Sequence, residues 1–268
     1  MQKIKFWKMS GAGNDFVLLT GGRPGGAALK KLAARLCARK TAVGADGLLY
    51  VAKAGENAVS LRYFNSDGSE AFCGNGSRCA AWWAYATGLM KNKRFLLKTV
   101  SGALPVEILG PESVRMRMPD VEKVCLDHGG AWSKPVKRVH LLDTGVPHAV
   151  VPVDDLEELD VAGLGRFLRF HKAFGPAGAN VDFVKVRGKK VFVRTYERGV
   201  EGETLACGTG ITASAVALGL SLGLKPPVEL VSRGGEKFRV WFRAAGAGAD
   251  EIYIQGPARL VFEGEITC

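Results

Sequence analysis

Three features of this 268-residue sequence predict an α+β fold built as two pseudo-symmetric lobes. Short strand-like runs dominate and are interspersed with a few helical ones, the mixture expected of sheets packed against helices. The stretches Phe64–Gly76 and Tyr196–Gly210 share one plan. Each leaves a strand-like run, crosses a loop rich in glycine and acid, and ends in Cys-Gly-x-Gly before a run of small, mostly uncharged residues. The two motif cysteines, Cys73 and Cys207, lie 134 positions apart, half the length of the chain.

The elements follow in order. Lys3 to Met9 alternates and reads as a strand, Ser10 to Asp15 as a turn, and Phe16 to Leu19 as the returning strand. Ala27 to Arg39 places Leu29, Leu32, Ala33 and Leu36 on one face with basic residues between, which predicts an amphipathic helix. Leu48–Val51 and Val59–Phe64 read as strands, and the first cysteine loop and helix run to about Gly88. Three strands follow, Phe95–Val100, Leu104–Leu109 and Val114–Met118, and Pro119-Asp120 opens a second series. Arg138–Leu142 and Ala149–Val151 read as strands around Asp143 to His148, and Leu156 to Phe170 as a weakly capped helix. Ala179–Val186 and Lys190–Tyr196 pair around Arg187-Gly188-Lys189. The second cysteine helix runs to Leu224, where Pro226-Pro227 is expected to stop it. Four strands close the chain: Val228–Val231, Phe238–Phe242, Glu251–Ile254 and Arg259–Phe262. This divides the chain into lobes at 1–118 and 119–255.

Composition narrows the function. Hydrophobic residues make up 47% of the chain, enough for a sizeable core. The net charge of +11 reads as a soluble basic surface, because Lys and Arg are spread along the chain without a basic tail or aromatic platform, so no nucleic-acid partner is expected. Leu205 to Leu224 carries no charge, but its serines, threonines and four glycines mark it as a buried helix rather than a membrane span. The six cysteines include no CxxC pair and only four histidines accompany them, so zinc spacing is absent. No signal peptide is legible at Met1 to Phe6, and a reducing cytoplasmic location is expected.

The chemistry follows from placing a cysteine at a helix start. Free N–H groups and the positive end of the helix dipole stabilise an anion there, so both thiols are expected to have lowered pKa values. Two such thiols can act on opposite faces of one carbon, one removing a proton and the other returning one. That suits a cofactor-free racemase or epimerase with its active site between the lobes. Cys37, Cys125 and Cys268 sit in no such motif, and Cys79, six positions past Cys73, is expected to pack in the core.

An ordered set of motifs now identifies a family. Gly13-Asn14-Asp15-Phe16, Phe64-Asn65 to Glu70, Cys73-Gly74-Asn75-Gly76-Ser77-Arg78-Cys79, Pro147-His148, Asn180-Val181-Asp182-Phe183, Glu197-Arg198-Gly199 and Cys207-Gly208-Thr209-Gly210 together closely resemble diaminopimelate epimerase. The match extends from Lys8 to Gly264. The resemblance implies interconversion of LL- and meso-2,6-diaminoheptanedioate, in lysine and peptidoglycan-precursor synthesis, without pyridoxal phosphate, metal or other cofactor. It implies that each lobe is a mixed sheet or barrel curled around a central helix, with the final strand, within 256–268, returning to the first lobe. It casts Cys73 and Cys207 as the acid/base pair and His148 and Glu197 as residues that tune the thiols. Asn14, Asn65, Asn180, Glu197 and Arg198 become substrate-holding side chains, and Gly74-Asn75 and Gly208-Thr209 backbone anion cradles. The partners implied are diaminopimelate and a second copy of the chain, with no membrane. Two positions depart from the pattern: Val146 stands where many members have Asn, and Gly47 where some have Gln.

Two rivals are weaker. Gly208 to Ala213 fits the G-x-G-x-x-A of dinucleotide-binding folds, but the charged stretch Glu197–Glu203 precedes it where a buried parallel strand should end. A proline racemase-like enzyme would be expected to carry His two residues after the first cysteine, where this chain has Asn75.

Overall fold

The computed structural model describes residues 3–132 and 134–267, so the expectations touching Met1, Gln2 and Cys268 lie outside the described residues. The chain divides into two compact units, Met1–Met116 with Gly256–Cys268, and Arg117–Gln255. In chain order the first run of elements is β1 (Lys3–Gly11), β2 (Asn14–Thr20), α1 (Gly26–Leu36), β3 (Gly47–Lys53), β4 (Ala58–Asn65), β5 (Glu70–Ala71), α2 (Gly74–Ala86), β6 (Arg94–Thr99), β7 (Gly102–Gly110) and β8 (Ser113–Arg117). The second run is β9 (Val124–Cys125), β10 (His140–Asp143), β11 (Pro147–Pro152), α3 (Val161–Arg169), β12 (Asn180–Arg187), β13 (Lys190–Glu197), β14 (Gly202–Thr204), α4 (Gly208–Leu222), β15 (Val228–Ser232), β16 (Lys237–Ala245) and β17 (Gly248–Pro257). The last strand, β18 (Arg259–Thr267), belongs to the first unit.

Within the first unit the strands pair in the order β18-β1-β2-β3-β4-β6-β7-β8. Only β2–β3 and β4–β6 are parallel. Within the second unit the order is β9-β10-β11-β12-β13-β15-β16-β17, and only β11–β12 and β13–β15 are parallel. The parallel steps fall at the same places in both series, which is duplication expressed as hydrogen bonding. In each unit a short strand from the cysteine loop pairs with its neighbour, β5 with β4 and β14 with β13. Neither series is closed into a barrel by a strand ladder: among the described residues none joins β8 to β18, and β17 meets the segment leading into β9 through the Val121–Ala249 bridge and the Val124 amide, which donates to the Ala247 carbonyl.

Each sheet curls around one helix. The central helix α2 packs on β1, β2, β3, β4, β7 and β18, and α4 packs on β10, β11, β12, β13, β15 and β16. A helix enclosed on all sides needs small side chains so that strands can approach it. The buried faces of α4 supply this with Ala213, Ser214, Ala215, Val216 and Ala217, and those of α2 with Ser77, Ala80, Ala81 and Ala84. No helix among the described residues is long and apolar enough to cross a membrane. The other two helices lie on the outer faces. The i, i+4, i+7 stripe Leu29, Ala33, Leu36 of α1 is buried with Val17, Leu19, Leu48 and Tyr50. Fully burying one such leucine contributes about 1.5–3 kcal/mol. On the outer face of the second unit, Val161 and Leu168 of α3 pack with Val151, Phe183 and Tyr196.

Three local expectations change. Asn14 and Asp15 belong to β2, paired with Gly11 and Ser10, and not to the turn. The helix expected over 156–170 is confined to Val161–Arg169. The Asp155 carboxylate accepts the Glu157 and Glu158 amides, a local turn that competes with helical bonding, and Asp160 then caps the helix by accepting from the Gly163 amide at 2.9 Å. The second cysteine helix ends at Gly223, whose left-handed backbone (φ 71°) terminates it before the prolines are reached.

Candidate active site

In the first unit, β5 and the residues after it deliver Cys73 to the N-cap of α2, with extended backbone (φ −140°, ψ 114°). The half-buried thiol accepts the Gly76 amide at 3.4 Å, standing in for a capping oxygen. Around it lies a chain of polar side chains. The Asn75 amide donates to Asn14 Oδ1 at 2.6 Å, and Asn14 Nδ2 donates to Asp46 at 3.0 Å. On the other side Arg78, five positions after Cys73 and fully buried, donates to Asn75 Oδ1 at 2.6 Å. Asp46 and Asp15 are tied in turn by Arg39, and Lys8 donates to Asp15 at 2.6 Å. Burial pushes the Asp15 carboxyl up, but the Arg39 and Lys8 cations outweigh it and hold the group below its usual range. Asn14 and Asn75 are thereby locked in orientation.

Asn65 ends β4, where the Tyr63 hydroxyl donates to its Oδ1 at 2.7 Å and its Nδ2 donates to Ser69 at 2.9 Å. Gly47 lies directly across the strand pair from Asn65. A Cβ at Gly47 would come within 2.4 Å of the Tyr63 ring and 2.5 Å of the Phe64 carbonyl oxygen. The position is filled rather than vacant, since the tyrosine occupies the space a side chain at 47 would need.

In the second unit, β14 leads to Cys207 at the N-cap of α4 (φ −113°, ψ 113°). Its sulfur lies 3.2 Å from the Thr209 hydroxyl, and the Thr209 carbonyl oxygen accepts from Thr144. The lowered pKa expected of this thiol is not found. Burial pushes it well above the ordinary value, with the Glu197 and Asp182 carboxylates adding to the rise, while Thr209 and the Gly210 amide pull weakly the other way. A helix N-terminus does not outweigh complete desolvation plus two nearby anions.

His148 of β11 is fully buried, its Nδ1 2.7 Å from Asp182 Oδ2. Asn180, beside it in register on β12, donates to the Pro147 carbonyl and accepts the Arg198 amide at 2.8 Å. The Arg198 side chain is half-buried and has no hydrogen bond or ion pair to protein among the described residues, leaving its fork available.

The expected site residues thus gather in two centres. Asn14, Asn65, Gly74 and Asn75 lie in the first unit with Cys73, while His148, Asn180, Glu197, Arg198, Gly208 and Thr209 lie in the second with Cys207. The remaining described cysteines are elsewhere. Cys37 and Cys79 are buried, and burial pushes both thiols up to about 12. Cys125 contacts His128 at 3.5 Å. Tyr63, Asp46, Thr195 and Asp182 were not singled out as site residues in the sequence. The one legible signal among them was Asp182, a lone charge inside the apolar run Val181–Val184.

Comparison with known proteins bears on the family and the fold. The family model described as diaminopimelate epimerase matches residues 6–124 and 140–261. The chain is 39% identical to the diaminopimelate epimerase of Aquifex aeolicus, over 98% of each chain. It is also 39% identical to that of Methanocella arvoryzae, over 99% of this chain and 98% of the other. Among solved structures, a PhzF-family phenazine biosynthesis protein of Bacillus anthracis superposes over 100% of both chains with a TM-score of 0.78 at 16% identity. A hydroxyproline epimerase from Agrobacterium vitis superposes with a TM-score of 0.73 at 17% identity, covering 99% of this chain and 91% of that one. At such identities the structural likeness establishes a shared fold.

Proposed function

The chain belongs to the diaminopimelate epimerase family, and from that premise we infer that it is an isomerase interconverting LL- and meso-2,6-diaminoheptanedioate in lysine biosynthesis. The observation that carries the mechanism is the repeated Cys-Gly-x-Gly at the N-caps of α2 and α4. One cysteine, as thiolate, removes the α-proton; the other, as thiol, delivers a proton to the opposite face; the reverse reaction exchanges their roles. The substrate α-carboxylate is held by the amides of the helix starts at Gly74-Asn75 and Gly208-Thr209, where dipole and free N–H groups favour an anion. Cys207, kept protonated by burial and by its acidic neighbours, suits the proton donor of the first half-reaction. Arg198 binds the distal carboxylate, and Asn14, Asn65 and Asn180 serve the ammonium groups. No metal or pyridoxal group takes part in this scheme.

We assign the enzyme to the cytoplasm, since thiol chemistry needs a reducing compartment, and to a homodimer. The exposed Leu260, Val261 and Phe262 of β18 support self-association, and light scattering on the purified protein checks it. The function is tested by incubating the protein with LL-diaminopimelate in D₂O and following the α-proton signal by NMR. Deuterium incorporation with appearance of the meso isomer is expected. A spectrum unchanged after prolonged incubation at high enzyme concentration sinks the assignment.

A further inference from the structure

Asp182 is the one carboxylate fully buried among the described residues. A buried anion is costly unless paired and hydrogen-bonded, and here both oxygens are engaged. Oδ2 lies 2.7 Å from His148 Nδ1, and Oδ1 accepts the Thr195 hydroxyl at 2.7 Å. The strands build this geometry. Asp182 and Thr195 are register partners across β12 and β13, while His148 sits on the neighbouring β11. The start of α4 presses on the same carboxylate, since a Cβ at Gly210 would lie 2.2 Å from Asp182 Oδ1. Gly210 is the third residue after Cys207, so the absence of a side chain there lets the anion sit against the helix end that carries the thiol.

The consequence concerns the imidazole. An ionised carboxylate only accepts hydrogen bonds, so Nδ1 must carry the hydrogen, and the neutral ring leaves its lone pair on Nε2. That Nε2 is buried and has no protein hydrogen-bond partner. A buried acceptor with no donor is unusual in a folded protein. We propose that Asp182 is a positioning residue: it holds His148, which the family resemblance casts as tuning the thiols, as the Nδ1–H tautomer, with the Nε2 lone pair bare and able to accept a proton. Where a catalytic thiol is the donor, the S–H bond breaks and an Nε2–H bond forms, giving thiolate and imidazolium. Asp182 stays ionised and faces the new cation, and no electrons are transferred. The proposal deepens the two-thiol reading and rests on it.

The test separates the two. With four histidines in the chain, ¹⁵N–¹H spectra resolve the tautomer of His148 without reference to turnover. The free enzyme is expected to show Nδ1 protonated and Nε2 bare. In Asp182→Asn the tautomer should shift toward Nε2–H, with kcat down by about 10²-fold or more and KM within a few-fold, as for loss of a correctly poised general base. Thr195→Val removes the second bond but keeps the carboxylate, so the tautomer should hold and kcat should fall less than about tenfold. A wild-type His148 protonated on Nε2 overturns the proposal whether or not any variant folds. So does a folded Asp182→Asn protein with unchanged kcat. If wild type fails to epimerise diaminopimelate while the spectra show Nδ1–H, the function is what has failed, and the placement of the proton by Asp182 stands.

Discussion

The two cysteine centres share a motif and differ in charge. Both thiols cap a buried helix, yet the residues buried around them have opposite signs. The first turns of α2 carry the buried guanidinium of Arg78 beside Asn75, with Arg39 and Lys8 further out on the Asp15–Asp46 pair. The start of α4 instead meets the buried Asp182, and burial, with the Glu197 and Asp182 charges, pushes its thiol well above the ordinary value. Duplication supplied one backbone device, and the strands beside it decide what that device does. A two-base reaction needs such inequality, because one thiol must be charged while the other holds its proton.

The most severe way to break the comparison is to remove either sulfur. Cys73→Ala and Cys207→Ala should each lower epimerisation by about 10³-fold or more with circular dichroism unchanged; a variant retaining a tenth of wild-type activity would show that a single thiol suffices. Next comes Arg198→Lys, which keeps the charge but loses the planar fork. Its kcat/KM for diaminopimelate should drop by about 10²-fold, with lysine, which lacks the distal carboxylate, a very poor substrate for wild type. Parity between lysine and diaminopimelate would remove the distal clamp from the account.

Glu197→Gln sharpens the electrostatic half of the comparison. The Glu197 charge disfavours the Cys207 thiolate, so neutralising it should lower that pKa and raise the thiolate fraction at any pH below it. Alkylation of Cys207 by iodoacetamide at pH 8, read by mass spectrometry, should accelerate by about three- to tenfold. The rate at Cys73 serves as the internal reference, and equal acceleration at both sites would mean the effect is not local. Smallest is Tyr63→Phe, which releases Asn65 from its hydroxyl donor. Loss of one hydrogen bond of about 1 kcal/mol should raise KM roughly fivefold with kcat nearly constant. An unchanged KM would show that Asn65 is held by Ser69 alone.

Much of this was legible in the residues. The Cys-Gly-x-Gly repeat announced both helix starts, and alternation in runs such as Lys190–Tyr196 located the strands. What escaped was set by tertiary neighbours. The two- and three-residue strands β5 and β14 are too short to show a period, and they exist because β4 and β13 offer an edge. The rise in the Cys207 pKa depends first on burial, then on Glu197 and on Asp182, the latter twenty-five positions away in the chain. Gly47 read as a lost contact because nothing in the sequence places Tyr63 over it. The turn at Asp155 defeated the helical pattern through one side chain bonding to its own backbone.

The return of β18 to the first unit bears on the order in which the chain folds during synthesis. The second unit is continuous, 117–255, and a ribosome that has completed β17 has already supplied each of its strands. The first unit lacks the outer partner of β1 until residues 259–267 follow, and Lys3 then pairs with Thr267. That pairing closes a loop spanning nearly the whole chain, and such non-local contacts form slowly. Until it forms, one edge of β1 offers unpaired N–H and C=O groups to any other strand. The nascent first unit is therefore the half of the molecule whose strand edge stays unpaired longest, although it is translated first.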